Sequence, residues 1–140
     1  MSKQKIKAII LASGKGNRFK NETPKQFLNI KGCPVIIHSL RPFQECNEID
    51  EIIIVTIKEF IDKTRNLIDQ NKISKVYEIV EGGKVRQESS RIGVESCSVD
   101  TKYVLIHDAV RPFITINLLN KLLRNLLRTP LLGLIILKAG

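Results

Sequence analysis

Directly after an apolar run at residues 6–11 the chain reads Ala12-Ser13-Gly14-Lys15-Gly16-Asn17-Arg18. Glycines and small residues let backbone N–H groups come close to phosphate oxygens, so a strand followed by this run suits phosphate binding. No GxxxxGK[ST] pattern can be laid on it, and Phe19 stands where a dinucleotide fingerprint needs its third glycine. A tight turn after a strand would use the same residues. A short distance on, Pro24-Lys25-Gln26-Phe27 places a cation behind a proline. Lys25 is a compact charge and Arg18 a planar donor fork. Together they could stabilise charge that develops on a phosphorus undergoing displacement. Taken singly, each is a surface charge.

Two further runs carry polar chemistry. Asp108 follows an apolar stretch in Ile106-His107-Asp108-Ala109-Val110-Arg111-Pro112. A carboxylate at a strand end is a natural Mg²⁺ ligand, since that ion takes one or two carboxylates plus substrate phosphates. It could equally cap a turn before Pro112. Gly82-Gly83-Lys84-Val85-Arg86, with Ser89, offers a backbone turn and donors able to recognise a base. The plain alternative is a strand-to-helix turn with a solvated arginine.

Elements to position these residues follow from hydrophobic periodicity. Residues 6–11, 52–57, 76–80, 103–106 and 131–137 read as buried strands, several rich in β-branched side chains. Residues 35–43, 58–71, 86–97 and 116–128 read as helices. Pro34 suits a first helical position, and the helix it opens is expected to end near Pro42. The helix at 86–97 is expected to turn Ile92 inward. Strand and helix alternate, which predicts a Rossmann-like, three-layer α/β fold with a mostly parallel sheet, in one nucleotide-binding domain over residues 1–140. Ligands of such sheets bind outside the carboxyl ends of the strands. The Ser13–Arg18 segment, the Gly83 turn and Asp108 all belong to that edge.

Composition narrows the function classes. The 140 residues carry a formal net charge of +9, concentrated in the first 31 residues, where eight Lys and Arg face Glu22 alone. That balance suits a polyanionic partner. Aromatic content is 5% and no nucleic-acid motif is present, so nucleic acid is not the expected partner. No run reaches the ~20 apolar residues of a membrane helix. The basic start with its short apolar run does not read as a signal peptide, so a cytoplasmic protein is the default. Cys33, Cys46 and Cys97 lie far apart and read as free thiols.

Four motifs taken together resemble a family. Residues 8–18, Pro24-Lys25-Gln26-Phe27, Gly82-Gly83 with Arg86 and Ser89, and His107-Asp108-Ala109-Val110-Arg111-Pro112-Phe113 stand in the order and spacing of the 2-C-methyl-D-erythritol 4-phosphate cytidylyltransferases. The sister ribitol-5-phosphate cytidylyltransferases are similar and remain an alternative. The resemblance spans the chain to about Leu127, with Ser13 where the family usually has alanine. It implies transfer of CMP from CTP to a polyol phosphate with release of pyrophosphate, with Mg²⁺. It implies that Arg18 and Lys25 stabilise the pentacoordinate α-phosphate. Ala12, Ser13, Gly14 and Gly16 would line the ribose and triphosphate. Gly83, Arg86 and Ser89 would contact the cytosine region, and Asp108 would hold the metal. The family continues beyond 140 residues, so the expectation is a domain whose C-terminal part is missing, a homodimer at full length. A short chain that binds CTP without turnover is the further alternative. Incomplete cover of the apolar face at 116–128 predicts self-association.

Overall fold

The computed structural model describes residues 5–12, 23–128 and 133–136. In chain order the elements are β1 (Lys5–Ala12), β2 (Asn29–Ile30), β3 (Cys33–Pro34), α1 (Val35–Glu45), β4 (Glu51–Thr56), α2 (Ile61–Gln70), β5 (Val76–Glu81), α3 (Arg86–Glu95), β6 (Thr101–Asp108), α4 (Ile116–Arg128) and β7 (Gly133–Ile136). Short 3₁₀ turns at Lys25–Phe27 and Lys58–Phe60 join them.

Five strands form one sheet in the order β5-β4-β1-β6-β7, every pairing parallel. The first strand is therefore central. The chain builds outward from it in one direction through β4 and β5, then crosses back and builds the other way through β6 and β7. Side chains alternate across the pleat. Ala8, Ile10, Ile52, Ile54 and Leu105 pack with Ile36, Leu40 and Phe43 of α1, Ile68 of α2 and Leu119 and Leu123 of α4. Ile9, Leu11, Ile53, Val55, Val104 and Ile106 form the core of the opposite face. That second face is covered by α3, whose Gly93 sits against Ile9 and Val55. The result is the three-layer arrangement that the alternation of strand and helix predicts. All five expected strands are present.

Local expectations differ at four places. The first helix starts after Pro34, which caps it in extended conformation, and runs through Pro42 to Glu45. A proline inside a helix removes one backbone bond. Here Phe43 and Cys46, both fully buried, continue into the core and outweigh that loss. The helix expected at 58–71 begins with a 3₁₀ turn and is α-helical only over Ile61–Gln70. The hairpin β2–β3 was not anticipated. Its turn is made by Lys31 at φ 52° and Gly32 at φ 78°, the left-handed pair that tight hairpins need. His38 Nε2, 2.7 Å from the Ile30 carbonyl, ties that hairpin to α1. Finally, α3 turns Ser89 and Gly93 inward, not Ile92, which is only half-buried. A Cβ on Gly93 would lie 2.6 Å from Ile9 Cγ2, so small residues four apart let this helix lie close to the sheet.

The basic patch is also divided. Lys5 and Lys7 stand at the N-terminal end of β1, ~23 Å and ~17 Å from Ala12 at about 3.3 Å per residue. Lys7 is buried, its Nζ donating to Ser98 Oγ at 2.8 Å and lying 3.5 Å from Glu51. Its ammonium also sits 4.8 Å from the centre of the Tyr77 ring. Lys5 pairs with Glu51 at 3.0 Å and with Asp100. These two lysines serve the base of the sheet rather than a polyanion at its other edge. The three cysteines are free thiols, and burial pushes the Cys97 thiol up from its ordinary range. Among the described residues no helix is long and apolar enough to cross a membrane.

Candidate nucleotide site

A parallel sheet whose strand order reverses leaves a crevice where the two directions diverge, at the carboxyl ends of the flanking strands. In this chain the flanking strands are β1 and β6. Leu11 stands opposite Asp108, and Ala12 opposite Thr56 of β4. The last residues of three adjacent strands therefore meet at one edge.

Ala12 is buried at the end of β1. Its carbonyl accepts from Gln26 Nε2 at 3.1 Å and from Thr56 Oγ1 at 3.2 Å. Ser13, Gly14, Gly16 and Arg18 lie outside the described residues. Lys25 opens the 3₁₀ turn, which is closed by Phe27 N–H donating to Pro24 O at 2.9 Å. Phe27 anchors that turn: it is buried, meets the Phe60 ring edge to face at 5.1 Å and carries the Lys63 ammonium 4.5 Å from its ring centre. Lys25 and Arg111 both line a cleft of about 470 Å³ whose other walls are apolar, from Leu28 to Phe113. Two cations in an apolar cleft favour an anion with a carbon skeleton attached.

Asp108 ends β6 with a half-exposed carboxylate. The turn after it is held four ways. Ala109 N–H donates to Leu11 O at 2.9 Å, and Ser39 Oγ to Ala109 O at 2.7 Å. Arg111 N–H donates to Asp108 O at 3.2 Å, and His107 Nε2 lies 2.8 Å from Arg111 O. A carbonyl only accepts, so Nε2 carries a proton. His107 is fully buried, its Nδ1 has no partner, and the Phe43 ring lies 5.4 Å away. Burial holds its pKa below the ordinary imidazole value, more than the Arg111 carbonyl raises it.

The third loop leads from β5 into α3. Gly82 N–H donates to Thr56 O at 2.7 Å, and Gly83 N–H to Ser89 Oγ at 3.1 Å. Ser89 is therefore buried beneath the turn and shapes it. Gly83 has no side chain in the space that Glu88 fills, and a Cβ there would overlap Glu88 Cγ and Cδ. Arg86 leads α3 and reaches across to Asp108, with Nε and Nη2 each 3.3 Å from Oδ1. The structure thus brings Ala12, Gly83, Arg86, Asp108 and Lys25 to the same edge of the sheet. Gln26, Thr56 and His107 complete it, and their sequence signal is faint: uncharged or buried groups beside conspicuous charges.

A divalent cation can be tested against these groups. Among the described residues no three His, Cys, Asp or Glu converge to hold a metal. Beside the switch point, Asp108 ends β6 with a carboxylate, while Glu81 ends β5 at the edge of the sheet. One carboxylate with phosphate oxygens is a donor set that Mg²⁺ accepts. The residues fit an ion that arrives with a nucleotide, not one caged by protein.

Comparison with known proteins agrees with this geometry. The family model described as IspD, 2-C-methyl-D-erythritol 4-phosphate cytidylyltransferase, matches residues 6–137. The chain is 45% identical over 113 residues to the protein of that name from Lachnospira eligens, covering 81% of this chain and 49% of the relative. It is 43% identical over 124 residues to that of Clostridium botulinum strain Langeland, covering 89% and 53%. The chain spans about half the length of the curated relatives it matches. Among solved structures, 4-diphosphocytidyl-2C-methyl-D-erythritol synthase from Anaerococcus prevotii superposes with a TM-score of 0.74 at 29% identity, over 88% of this chain and 51% of that one. Rv0371c from Mycobacterium tuberculosis, at 18% identity and a TM-score of 0.72 over 89% of this chain and 61% of its own, shares the fold.

Proposed function

Because the chain belongs to the 2-C-methyl-D-erythritol 4-phosphate cytidylyltransferase family, we propose that it forms the nucleotide side of a CMP transfer. CTP and 2-C-methyl-D-erythritol 4-phosphate would give CDP-methylerythritol and pyrophosphate. The observation that carries the reading is the meeting of the ends of β1 and β6 at the switch point of the sheet, where Arg86, from the helix that follows the Gly83 turn, reaches Asp108.

The reaction is a displacement at phosphorus. An oxygen of the polyol phosphate forms a bond to the α-phosphorus of CTP, the bond to the α–β bridging oxygen breaks, and pyrophosphate leaves. Little covalent chemistry falls to the protein, so position and electrostatics carry the rate. Lys25, with Arg18, neutralises charge on the transferring phosphoryl group. Gly83 presents backbone at the nucleoside end, and Ser89 holds that turn in shape. Asp108 holds Mg²⁺, which when bound neutralises phosphate charge and orients the leaving group.

The short coverage of the relatives favours a second reading, in which the chain binds CTP but does not turn it over. Both readings are tested by calorimetric titration of the chain with CTP and Mg²⁺, beside ATP and an Asp108→Asn control. Saturable CTP binding, weaker for ATP and weakened in the control, supports the site. Pyrophosphate release on adding the polyol phosphate separates turnover from binding. An absence of CTP binding would overturn both.

A further inference from the structure

The Ala12 carbonyl is the last one of β1. At strand ends such a group usually turns to water. Here both of its lone pairs are used, and both donors are buried side chains: Gln26 Nε2 at 3.1 Å and Thr56 Oγ1 at 3.2 Å. Thr56 comes from the neighbouring strand and stands opposite Ala12 in register. Gln26 comes from elsewhere. It sits between Lys25 and Phe27 in the 3₁₀ turn, 14 residues along the chain. It is only 3% exposed, although its neighbour Lys25 faces the cleft.

The two contacts differ in consequence. The Thr56 bond joins two strands that the sheet already joins. The Gln26 bond joins a turn to a strand end that nothing else in the sheet ladder connects. Phe27, packed on Phe60, holds the far side of the same turn. The turn is thus pinned on one side by a ring and on the other by an amide, with Lys25 next to the amide.

We propose that Gln26 is a positioning residue: its buried amide locks the Lys25 turn to the end of β1, and so sets Lys25 against the nucleotide. This rests on the reading of this edge as the nucleotide site. A glutamine suits the role because its amide NH₂ donates at every pH without bringing a charge into a buried place.

The test uses the 140-residue chain with Gln26→Met, Gln26→Glu and, as control, Thr56→Val. Hydrogen exchange of the Phe27 and Leu28 amides, which close the turn, is followed without nucleotide. CTP affinity in Mg²⁺ is followed in parallel, from pH 5 to pH 8. Gln26→Met keeps the volume and loses the donor, while Thr56 still satisfies the carbonyl. The loss of global stability in urea should therefore not exceed the worth of one hydrogen bond, about 1 kcal/mol, while exchange at Phe27 and Leu28 should quicken about tenfold. CTP affinity should fall by about the same factor. Gln26→Glu should be impaired at least as much as Gln26→Met at pH 8, where a carboxylate cannot donate to a carbonyl and brings a charge into a buried place. It should recover toward the parent value at pH 5 as the acid protonates, after correction for intrinsic exchange. Thr56→Val should leave Phe27 and Leu28 exchange unchanged. Unaltered exchange in Gln26→Met, or a Gln26→Glu variant without pH recovery, would overturn the proposal. If the parent chain fails to bind CTP, the nucleotide reading falls, and with it the link from Lys25 to a nucleotide, whereas the exchange result still decides whether Gln26 locks the turn.

Discussion

Arg86 and Asp108 stand on different elements, 22 residues apart, and meet through a guanidinium whose Nε and Nη2 are each 3.3 Å from one carboxylate oxygen. Both side chains are partly solvated, so the pair adds little to stability, within about 1 kcal/mol. Its importance lies in what it occupies. The carboxylate that would take a cation is already facing one. A magnesium ion must displace Arg86 or share Asp108 with it. Arg86→Ala is therefore expected to bind Mg²⁺ alone more tightly than the parent chain and CTP less tightly, both read by calorimetry. A parallel loss of both affinities would show that Arg86 does not compete with the ion.

His107 gives a pH dependence. Its folded pKa lies below the ordinary value near 6.5 because it is buried. The unfolded chain therefore takes up the proton first as pH falls. The stabilising contribution is complete above about pH 6.5 and declines below it by up to ~1.4 kcal/mol per pH unit. The decline stops once the folded protein also protonates. Urea midpoints at pH 7.5 and 5.5 measure it, with His107→Asn expected to lose most of the difference.

At the base of the sheet, the two partners of one ion pair should behave unequally. Lys7→Met removes a buried charge but leaves Glu51 its bond to Lys5 at 3.0 Å. That change should be close to neutral. Glu51→Gln leaves Lys7 buried with Ser98 and the Tyr77 ring but no counter-charge. It should cost roughly 3 kcal/mol, since breaking a buried pair from one side is expensive. Equal losses in chemical denaturation would contradict this.

Gly93→Ala places a methyl 2.6 Å from Ile9 Cγ2 and 3.2 Å from Val55 Cγ2, both in the core. Helix propensity favours alanine by about 1 kcal/mol. Overpacking of this kind costs 1 to 3 kcal/mol. A net loss of about 1 kcal/mol is expected, with weaker CTP binding as α3 and Arg86 are pushed outward. Gly83→Ala, by contrast, meets the flexible side chain of Glu88, which can move aside, and should fold normally. Thermal melts of the two variants distinguish the cases.

The sheet was legible because most of its strands are rich in β-branched or apolar residues, as at Ile52–Ile54. The hairpin at Asn29–Pro34 was not, because two-residue strands have no period to read and Lys31 is an unusual occupant of a left-handed position. Charge was the least reliable guide. Lys5 and Lys7 count toward the basic N-terminus, yet their partners Glu51, Asp100 and Ser98 lie tens of residues away in sequence. The site was visible through Gly83, Arg86 and Asp108, whose types suggest phosphate and metal chemistry. The groups that hold it, Gln26, Thr56, Ser89 and His107, act through backbone atoms of distant residues. A partner that is a carbonyl leaves no mark in the sequence.

The central place of β1 bears on how the molecule is made. Of the strands in this sheet, Lys5–Ala12 is synthesised before the others, and its neighbours are Glu51–Thr56 and then Thr101–Asp108. Until β6 leaves the ribosome, one edge of the most buried strand has no mate. Pairings of such wide sequence separation form slowly, and an unpaired apolar edge invites other chains. The strand translated earliest thus depends longest on protection, and stalling or cleavage before Thr101 would release a sheet open at its middle.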